Sequence, residues 1–308
     1  MQKQPCPVDV TNTIQTALSR TNLDEMQLEL AFFGGSFTAL HKDYMVSLLE
    51  AAQPFVIGGM ITGIRLSTRP DAIDRERLQL LKAYGVTAIE LGAQSMRDTV
   101  LTANHRGHTA QQVRDAAALI KAEGFELGLQ MMTGLYKDTA EGARQTAVEI
   151  AACSPDTVRI YPTIIMRHTH LGDLYESGQY QTLSLEETVD LCSYLLEFFE
   201  SKQIKVIRLG LHSSPELEKD RLAGPWHPAF GELCESRRFR NAILRELQKE
   251  RDKGNRFTVW IHPKDRSKAV GQKKSNLQFF SSQGYQIQVM EQDGIKKNQF
   301  QLEAMHMQ

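Results

Sequence analysis

The chain has 308 residues, 41% hydrophobic and 24% charged, with a formal net charge of −1. That balance excludes a disordered chain and allows a core large enough for an α/β barrel with a small appendage. No run of eighteen apolar residues occurs, and the start, MQKQPCPVDV, lacks the basic and apolar blocks of a secretory leader, so the sequence reads as cytoplasmic and without a membrane span.

In chain order, VDVTNTIQTALSR reads as a helix, and six strand-like runs follow: LELAFF (28–33), GIRLS (63–67), TAIELG (87–92), ELGLQMM (126–132), TVRIYP (157–162) and KVIRLGL (205–211). Helical periodicity separates them, with Thr109 and Ser184 placed to start helices and Gly85 and Gly124 placed to stop them. Repeated strand–helix alternation implies parallel strands joined by right-handed crossovers, in a barrel or an open sheet. Glycine and polar residues gather at the strand ends: Gly34, Gly35 and Ser36; Ser67, Thr68 and Arg69; Gly92, Gln94 and Ser95; Gln130, Thr133 and Gly134. In a parallel architecture these ends share one mouth, where barrels place their chemistry.

The adjacent glycines of FFGGSFTALHK fit neither GxxxxGK[ST] nor GxGxxG, so no phosphate loop is read there. Without side chains they let a ligand approach the main chain, and free carbonyls suit an ammonium group such as that of an amino-acid moiety. The four cysteines, Cys6, Cys153, Cys192 and Cys234, form no CxxC or CxxxC pair. Reduced thiols are therefore expected, with no metal-ligating set. An aldolase-like or isomerase-like barrel is disfavoured, because no strand-end lysine or carboxylate pair is present. Glu90 is the strand carboxylate near the mouth, and alternation is compatible with its pointing away.

FFGGSFT, LSTRPDAI, IELGAQSM followed by NHRGHT, GLQMMTGLY and VIRLGL come in an order and spacing that resemble the radical S-adenosylmethionine (radical SAM) family. The likeness covers roughly residues 8 to 235 and is greatest to the branch that includes the Elongator catalytic subunit and the oxygen-independent coproporphyrinogen oxidases. The resemblance implies a partial (β/α)6 TIM-like barrel, residues 1–235, in which a [4Fe–4S] cluster reductively cleaves SAM, supplied with electrons by a donor such as flavodoxin or ferredoxin. It also implies that Gly34, Gly35 and Ser36 receive the methionyl amino group, and that Ser67 and Arg69 lie near the carboxylate and ribose. Gln94 and Arg106 would lie close to SAM, with Gln130 toward the ribose. Family members often carry a carboxylate where this chain has Ser67, and some an aspartate where it has Gln130. The family's CxxxCxxC loop is not found in this sequence. The expectation is that the first strand and its cluster loop lie outside the chain and that the chain alone is inactive.

Past LAGPWHPAF the composition shifts to an amphipathic helix, the strand-like NRFTVWIHP, a helix, the turn Gly271-Gln272-Lys273-Lys274, a further helix and the strand YQIQVME. This order, residues 236–308, resembles a small α+β, KH-type RNA-binding fold, with Lys274 where the second glycine of its GxxG loop would stand. Between Arg251 and Lys274 there are eight basic residues against two acidic ones, so Lys268, Gly271, Lys273 and Lys274 are candidate RNA contacts. No acetyl-CoA-binding domain is read after this extension, so full Elongator-type activity is not implied. The function expected is thus a radical SAM-type, RNA- or tRNA-modifying enzyme. The alternative is a redox-inactive RNA- or SAM-binding protein.

Overall fold

The computed structural model describes residues 4–21, 26–211 and 213–305. Two compact units are present: Met1–Tyr161 with Lys202–Ile207, and Pro162–Ser201 with Arg208–Gln308.

The first unit begins with α1 (Pro7–Arg20), in which the Cys6 N–H donates to Asp9 at 2.8 Å. It continues as β1 (Leu30–Phe32), α2 (Lys42–Ile57), β2 (Ile64–Thr68), α3 (Arg75–Ala83), β3 (Val86–Gln94), α4 (Asp98–Ala103), α5 (Ala110–Ala122), β4 (Glu126–Thr133), α6 (Ala140–Ala152) and β5 (Thr157–Pro162). The short ribbon strand β6 (Ile165–Met166) and helices α7 (His170–Glu176) and α8 (Leu185–Ser201) belong to the second unit, after which β7 (Lys205–Leu209) returns to the main sheet. The six strands are ordered β1-β2-β3-β4-β5-β7 and form the curled, parallel half-barrel that strand–helix alternation implies.

Local chemistry accounts for these elements. Asp74, Thr109 and Thr139 cap α3, α5 and α6 by accepting from the N–H groups of Arg77, Gln112 and Gly142. Gly85 and Gly124 end helices in the left-handed region, at φ 81° and 82°. Ile64, Leu66, Ile89, Leu91, Leu127 and Leu129 are buried on one face of the sheet, toward the buried helix residues Leu49, Leu81, Val113 and Ala147.

The opposite face of the strands is polar. The Glu90 carboxylate, 1% exposed, accepts from Arg159 Nε at 2.5 Å and Nη2 at 2.8 Å and from Gln130 Nε2 at 2.9 Å, while Arg65 Nη1 lies 3.6 Å away. Arg65 also reaches Glu29 at 2.8 Å and Glu126 at 2.9 Å. Gly128 stands opposite Glu90 in register, and a Cβ there would come within 2.6 Å of the Glu90 Cγ. Glycine therefore makes room for the carboxylate. Glu90 thus points inward among two arginines and a glutamine, not away as alternation allowed.

The second unit pairs β6 with β8 (Arg221–Ala223), next to α9 (Pro215–Asp220), and packs α8 against α10 (Phe230–Lys249). Arg237 binds Glu186 and Asp190, and Arg245 binds Glu197 at 2.6 Å, so ion pairs link the two helices. Then come β9 (Arg256–Ile261), α11 (Arg266–Val270), α12 (Ser275–Ser282), β10 (Gln286–Glu291) and β11 (Phe300–Ala304). The sheet order is β10-β9-β11, with β10 parallel and β11 antiparallel to the central strand. Phe257, Val259 and Ile261 pack with Phe239, Ile243, Leu247, Ala269 and Phe280 in one core. The expected helix–turn–helix and flanking strands are present; β11 and the β6–β8 ribbon lie beyond what periodicity indicated. Among the described residues no helix is long and apolar enough to cross a membrane.

Removing one partner from a buried ion pair leaves the other uncompensated. Glu90→Ala should therefore lower stability by about 3–5 kcal/mol, whereas Lys42→Ala, which breaks an exposed pair with Glu76, should change it by less than about 1 kcal/mol. Urea unfolding followed by circular dichroism gives both values, and equal small losses would show that the lumen network contributes little.

Candidate cofactor and nucleic-acid sites

At the C-terminal ends of β1 to β4 the candidate residues are held in different ways. Gly34 follows β1 with φ +100°, a conformation that L side chains rarely adopt. Gly35 has no positive φ, and a Cβ added to it would meet nothing within 4 Å. Nothing in the described fold requires Gly35 to be a glycine. Ser36 precedes a short 3₁₀ turn, Phe37–Ala39. The Ser67 hydroxyl, at the end of β2, donates to the Gly35 carbonyl at 3.4 Å, so the first two strand ends meet.

Arg69 is turned into an ion pair with Asp71 at 2.9 Å. Gln94 ends β3 at φ 63°, a left-handed position that a non-glycine residue holds only under local constraint. Arg106 follows α4; its Nη2 lies 3.4 Å from Met132 Sδ at the end of β4, and among the described residues no carboxylate pairs with it. Gln130 uses its amide N–H on Glu90. Its carbonyl oxygen is left as the acceptor, suited to a hydroxyl. His108 Nε2 lies 3.1 Å from the Ala93 carbonyl, and burial holds this imidazole below its usual range, so it is neutral at pH 7 and donates there.

The direct contacts therefore join Gly35 to Ser67, Arg106 to Met132, and Gln130 to Glu90. Arg69 faces its own carboxylate. Sequence reasoning did not pick out Arg65 and Arg159, although each is a charge inside an otherwise apolar strand run. Phe33, 48% exposed, carries the Arg159 guanidinium 4.7 Å from its ring centroid and was likewise passed over.

In the second unit the Gly271–Lys274 turn joins α11 to α12. Gly271 has φ 76°, and a Cβ would sit 2.5 Å from Ser275 Oγ and 2.9 Å from Asn276 N. Lys273 and Lys274 both take left-handed conformations, at φ 53° and 65°. Lys274 thus adopts the backbone that a second glycine would supply. The Asn276 amide nitrogen, 3% exposed as a residue, lies 2.9–3.3 Å from Ser236 Oγ and from the Ser236, Lys268 and Ala269 carbonyls, fixing the turn on α10 and α11. Beside the turn opens a groove of about 1220 Å³, with Gly271, Lys274, Leu277, Ile287 and Val289 among its walls. Lys273 and Lys274 are exposed and take part in no ion pair among the described residues. Lys268 is engaged inward: its ammonium donates to Asn298 Oδ1 at 2.6 Å and lies 3.6 Å from both Asp265 and Glu235.

Two of the cysteines, Cys192 and Cys234, meet side chain to side chain, and the other two lie apart from them. Cys6 precedes α1, Cys153 caps α6, and Cys192 and Cys234 are buried in α8 and α10. Among the described residues no group of three histidine, cysteine or acidic side chains could hold a metal ion. A [4Fe–4S] cluster, which needs three thiolates close together, does not fit the residues described. At the strand ends the main chain around Gly35 is open, with nothing within 4 Å of where a Cβ would stand.

The sequence model of the radical SAM superfamily matches residues 18–150, and that of the radical SAM C-terminal domain matches residues 155–240. Elongator complex protein 3 of Danio rerio is 30% identical over 190 residues, covering 55% of this chain and 35% of that protein. A tRNA uridine(34) acetyltransferase of Methanocaldococcus jannaschii is 27% identical over 188 residues, covering 54% and 35%. The chain spans about 35% of the length of these curated relatives. The solved structure of the archaeal Methanocaldococcus infernus Elp3 with an N-terminal deletion shares the fold, with a TM-score of 0.63 at 22% identity over 79% of this chain and 59% of that one. With the two models following one another from residue 18 to residue 240, and with six parallel strands curled into a half-barrel beneath them, the chain belongs to the radical SAM superfamily.

Proposed function

We propose that the chain is the SAM-binding and RNA-contacting part of a radical SAM-type enzyme that modifies tRNA. The observation that carries this reading is Gly35: its backbone is ordinary and its surroundings are empty, so a ligand, rather than the fold, accounts for the missing side chain. In this reading the carbonyls of Gly34, Gly35 and Ser36 accept from the methionyl ammonium. Arg106, unpaired with any described carboxylate, meets the methionyl carboxylate, and the Gln130 carbonyl meets a ribose hydroxyl. Ser67 and Gln94 hold the edges of the site. Arg69 contributes only when it leaves Asp71.

The described residues hold no cluster ligands, and no redox step is assigned to them. The cysteine triad and the electron donor, flavodoxin or ferredoxin in type, belong to the complete enzyme. A redox-inactive RNA- or SAM-binding protein is the second reading, favoured by the lack of a three-cysteine group among the described residues. tRNA is taken as the nucleic acid because one relative is named for acetylation of a tRNA uridine. The Gly271–Lys274 turn, KH-like in its helix–turn–helix setting, would meet the phosphate backbone. A cytoplasmic location accords with four free thiols.

Three measurements test the proposal. Gly35→Ala should leave thermal stability within about 0.5 kcal/mol and weaken SAM binding at least about tenfold by calorimetry; unchanged binding would remove the clamp. Reconstituted anaerobically with iron and sulfide, the chain alone should show no stable cluster absorbance and no 5′-deoxyadenosine, whereas the chain extended upstream through a CxxxCxxC segment should show both. If no such segment precedes it, the second reading stands. Lys273→Gln with Lys274→Gln should flatten the salt dependence of tRNA binding by about 1.4 units of slope, about 0.7 for each single-strand phosphate that a lysine no longer neutralises. An unaltered slope would dismiss the turn as an RNA contact.

A further inference from the structure

β11 is an outer strand of the three-stranded sheet, paired with β9 on one side and with no strand on the other among the described residues. A free edge of this kind is a template for a further strand unless proline, lysine, a bulge or a covering element blunts it. β11 reads Phe300-Gln301-Leu302-Glu303-Ala304, with neither proline nor lysine, and its register against β9 runs unbroken. Phe300, Leu302 and Ala304 are only half-buried, whereas the β9 residues opposite them, Ile261, Val259 and Phe257, are at most 1% exposed.

Hollows flank this edge on both faces. On the helix side one of about 340 Å³ is walled by Phe300, Leu302 and Ala304, with Glu246 and Glu250 at its rim. Both carboxylates are already met there, by Lys249 at 2.7 Å and by Lys253. On the open side one of about 570 Å³ is walled by Trp260, Gln301 and Glu303. Glu303 accepts from Trp260 Nε1 at 2.7 Å but faces no cation among the described residues.

The residues of β11 complement themselves in reverse order. In an antiparallel pair centred on Leu302, Gln301 of each copy stands opposite Glu303 of the other, an amide that donates against a carboxylate that accepts. On the helix face Phe300 stands opposite Ala304, large against small, and Leu302 meets Leu302. Centring on Glu303 would instead set two carboxylates face to face. Centring on Gln301 would bring Ala304 to Asn298, whose left-handed backbone, φ 64°, does not continue a strand. Asp293, Lys296 and Lys297, the charges of the preceding loop, fall outside the paired residues.

We propose that the free edge of β11 is a homodimer interface, at which a second copy of this chain adds its own β11 across a two-fold axis and two three-stranded sheets become one. An axis perpendicular to the sheet keeps the helices of both copies on one face, so each Phe300 enters the helix-side hollow of the other. A five-residue edge with its flanking hollows is smaller than a standard interface, about 800 Å² per partner, so the dimer is weak and concentration-dependent. This inference is independent of the SAM and RNA readings.

The test is sedimentation velocity of the full chain over a wide concentration range, up to roughly 500 µM because a small interface dissociates readily. Gln301→Glu, which opposes carboxylate to carboxylate twice per dimer, should weaken association about tenfold. Gln301→Glu with Glu303→Gln exchanges the amide and the carboxylate and should restore it, since a glutamine can still accept from Trp260. Gln301→Lys, placed opposite Glu303, should tighten the dimer and serves as the second probe if the glutamate variant fails to fold by circular dichroism. A chain that stays monomeric throughout overturns the proposal. A dimer that is indifferent to the changes at Gln301, or that the exchange does not restore, uses another surface and overturns it as well.

Discussion

The charged cluster on the inner face of the half-barrel ties its strands together. Burying a carboxylate as deeply as Glu90 is unfavourable by several kcal/mol unless charge and hydrogen bonds meet it there. They come from β2, β4 and β5, through Arg65, Gln130 and Arg159. A one-residue slip of β3 would send Glu90 into the layer occupied by Ile89 and Leu91 and leave two guanidiniums unmet. Register is thereby locked across four strands, and the mouth follows from it. Ser67 lies two residues beyond Arg65, so its position is set from below, whereas a register shift between Leu91 and Gln94 re-aims the end of β3.

The second unit applies the same principle with neutral groups. Asn276 sits where α10, α11 and α12 converge, and its amide engages acceptors on the first two. A buried amide without those acceptors would be strongly unfavourable. Satisfied, it holds the Gly271–Lys274 turn in one shape. In both units a buried polar group fixes the backbone from which the exposed residues project.

The strand–helix alternation was legible because period-two and period-3.6 patterns reflect burial directly, and TVRIYP matched β5 end to end. The helix–turn–helix around Gly271 was legible for a related reason, since glycine followed by polar residues interrupts two apolar faces. The inward direction of Glu90 was not. It depends on a bulge between Ile64 and Arg65 in the β2–β3 register and on the absence of a side chain at Gly128, both non-local. The pairing of Arg69 with Asp71 and the engagement of Lys268 with Asp265, Glu235 and Asn298 were hidden likewise, because a charge in a sequence does not reveal whether a partner already holds it. The alternation of FQLEA stood in plain view, but only its pairing with β9 makes those five residues the edge of a sheet.

The left-handed pair Lys273–Lys274 bears on how this module would respond to selection for stability alone. Each left-handed non-glycine residue is unfavourable by roughly 1–2 kcal/mol, so glycine at either position relaxes the folded backbone, at some expense in unfolded-chain entropy. A screen that rewards only thermal resistance would drift toward a GQGG-like turn and discard two unpaired cations. The backbone here keeps its conformational penalty in two adjacent residues that carry exposed cations, so robustness and electrostatics pull in opposite directions at the same place.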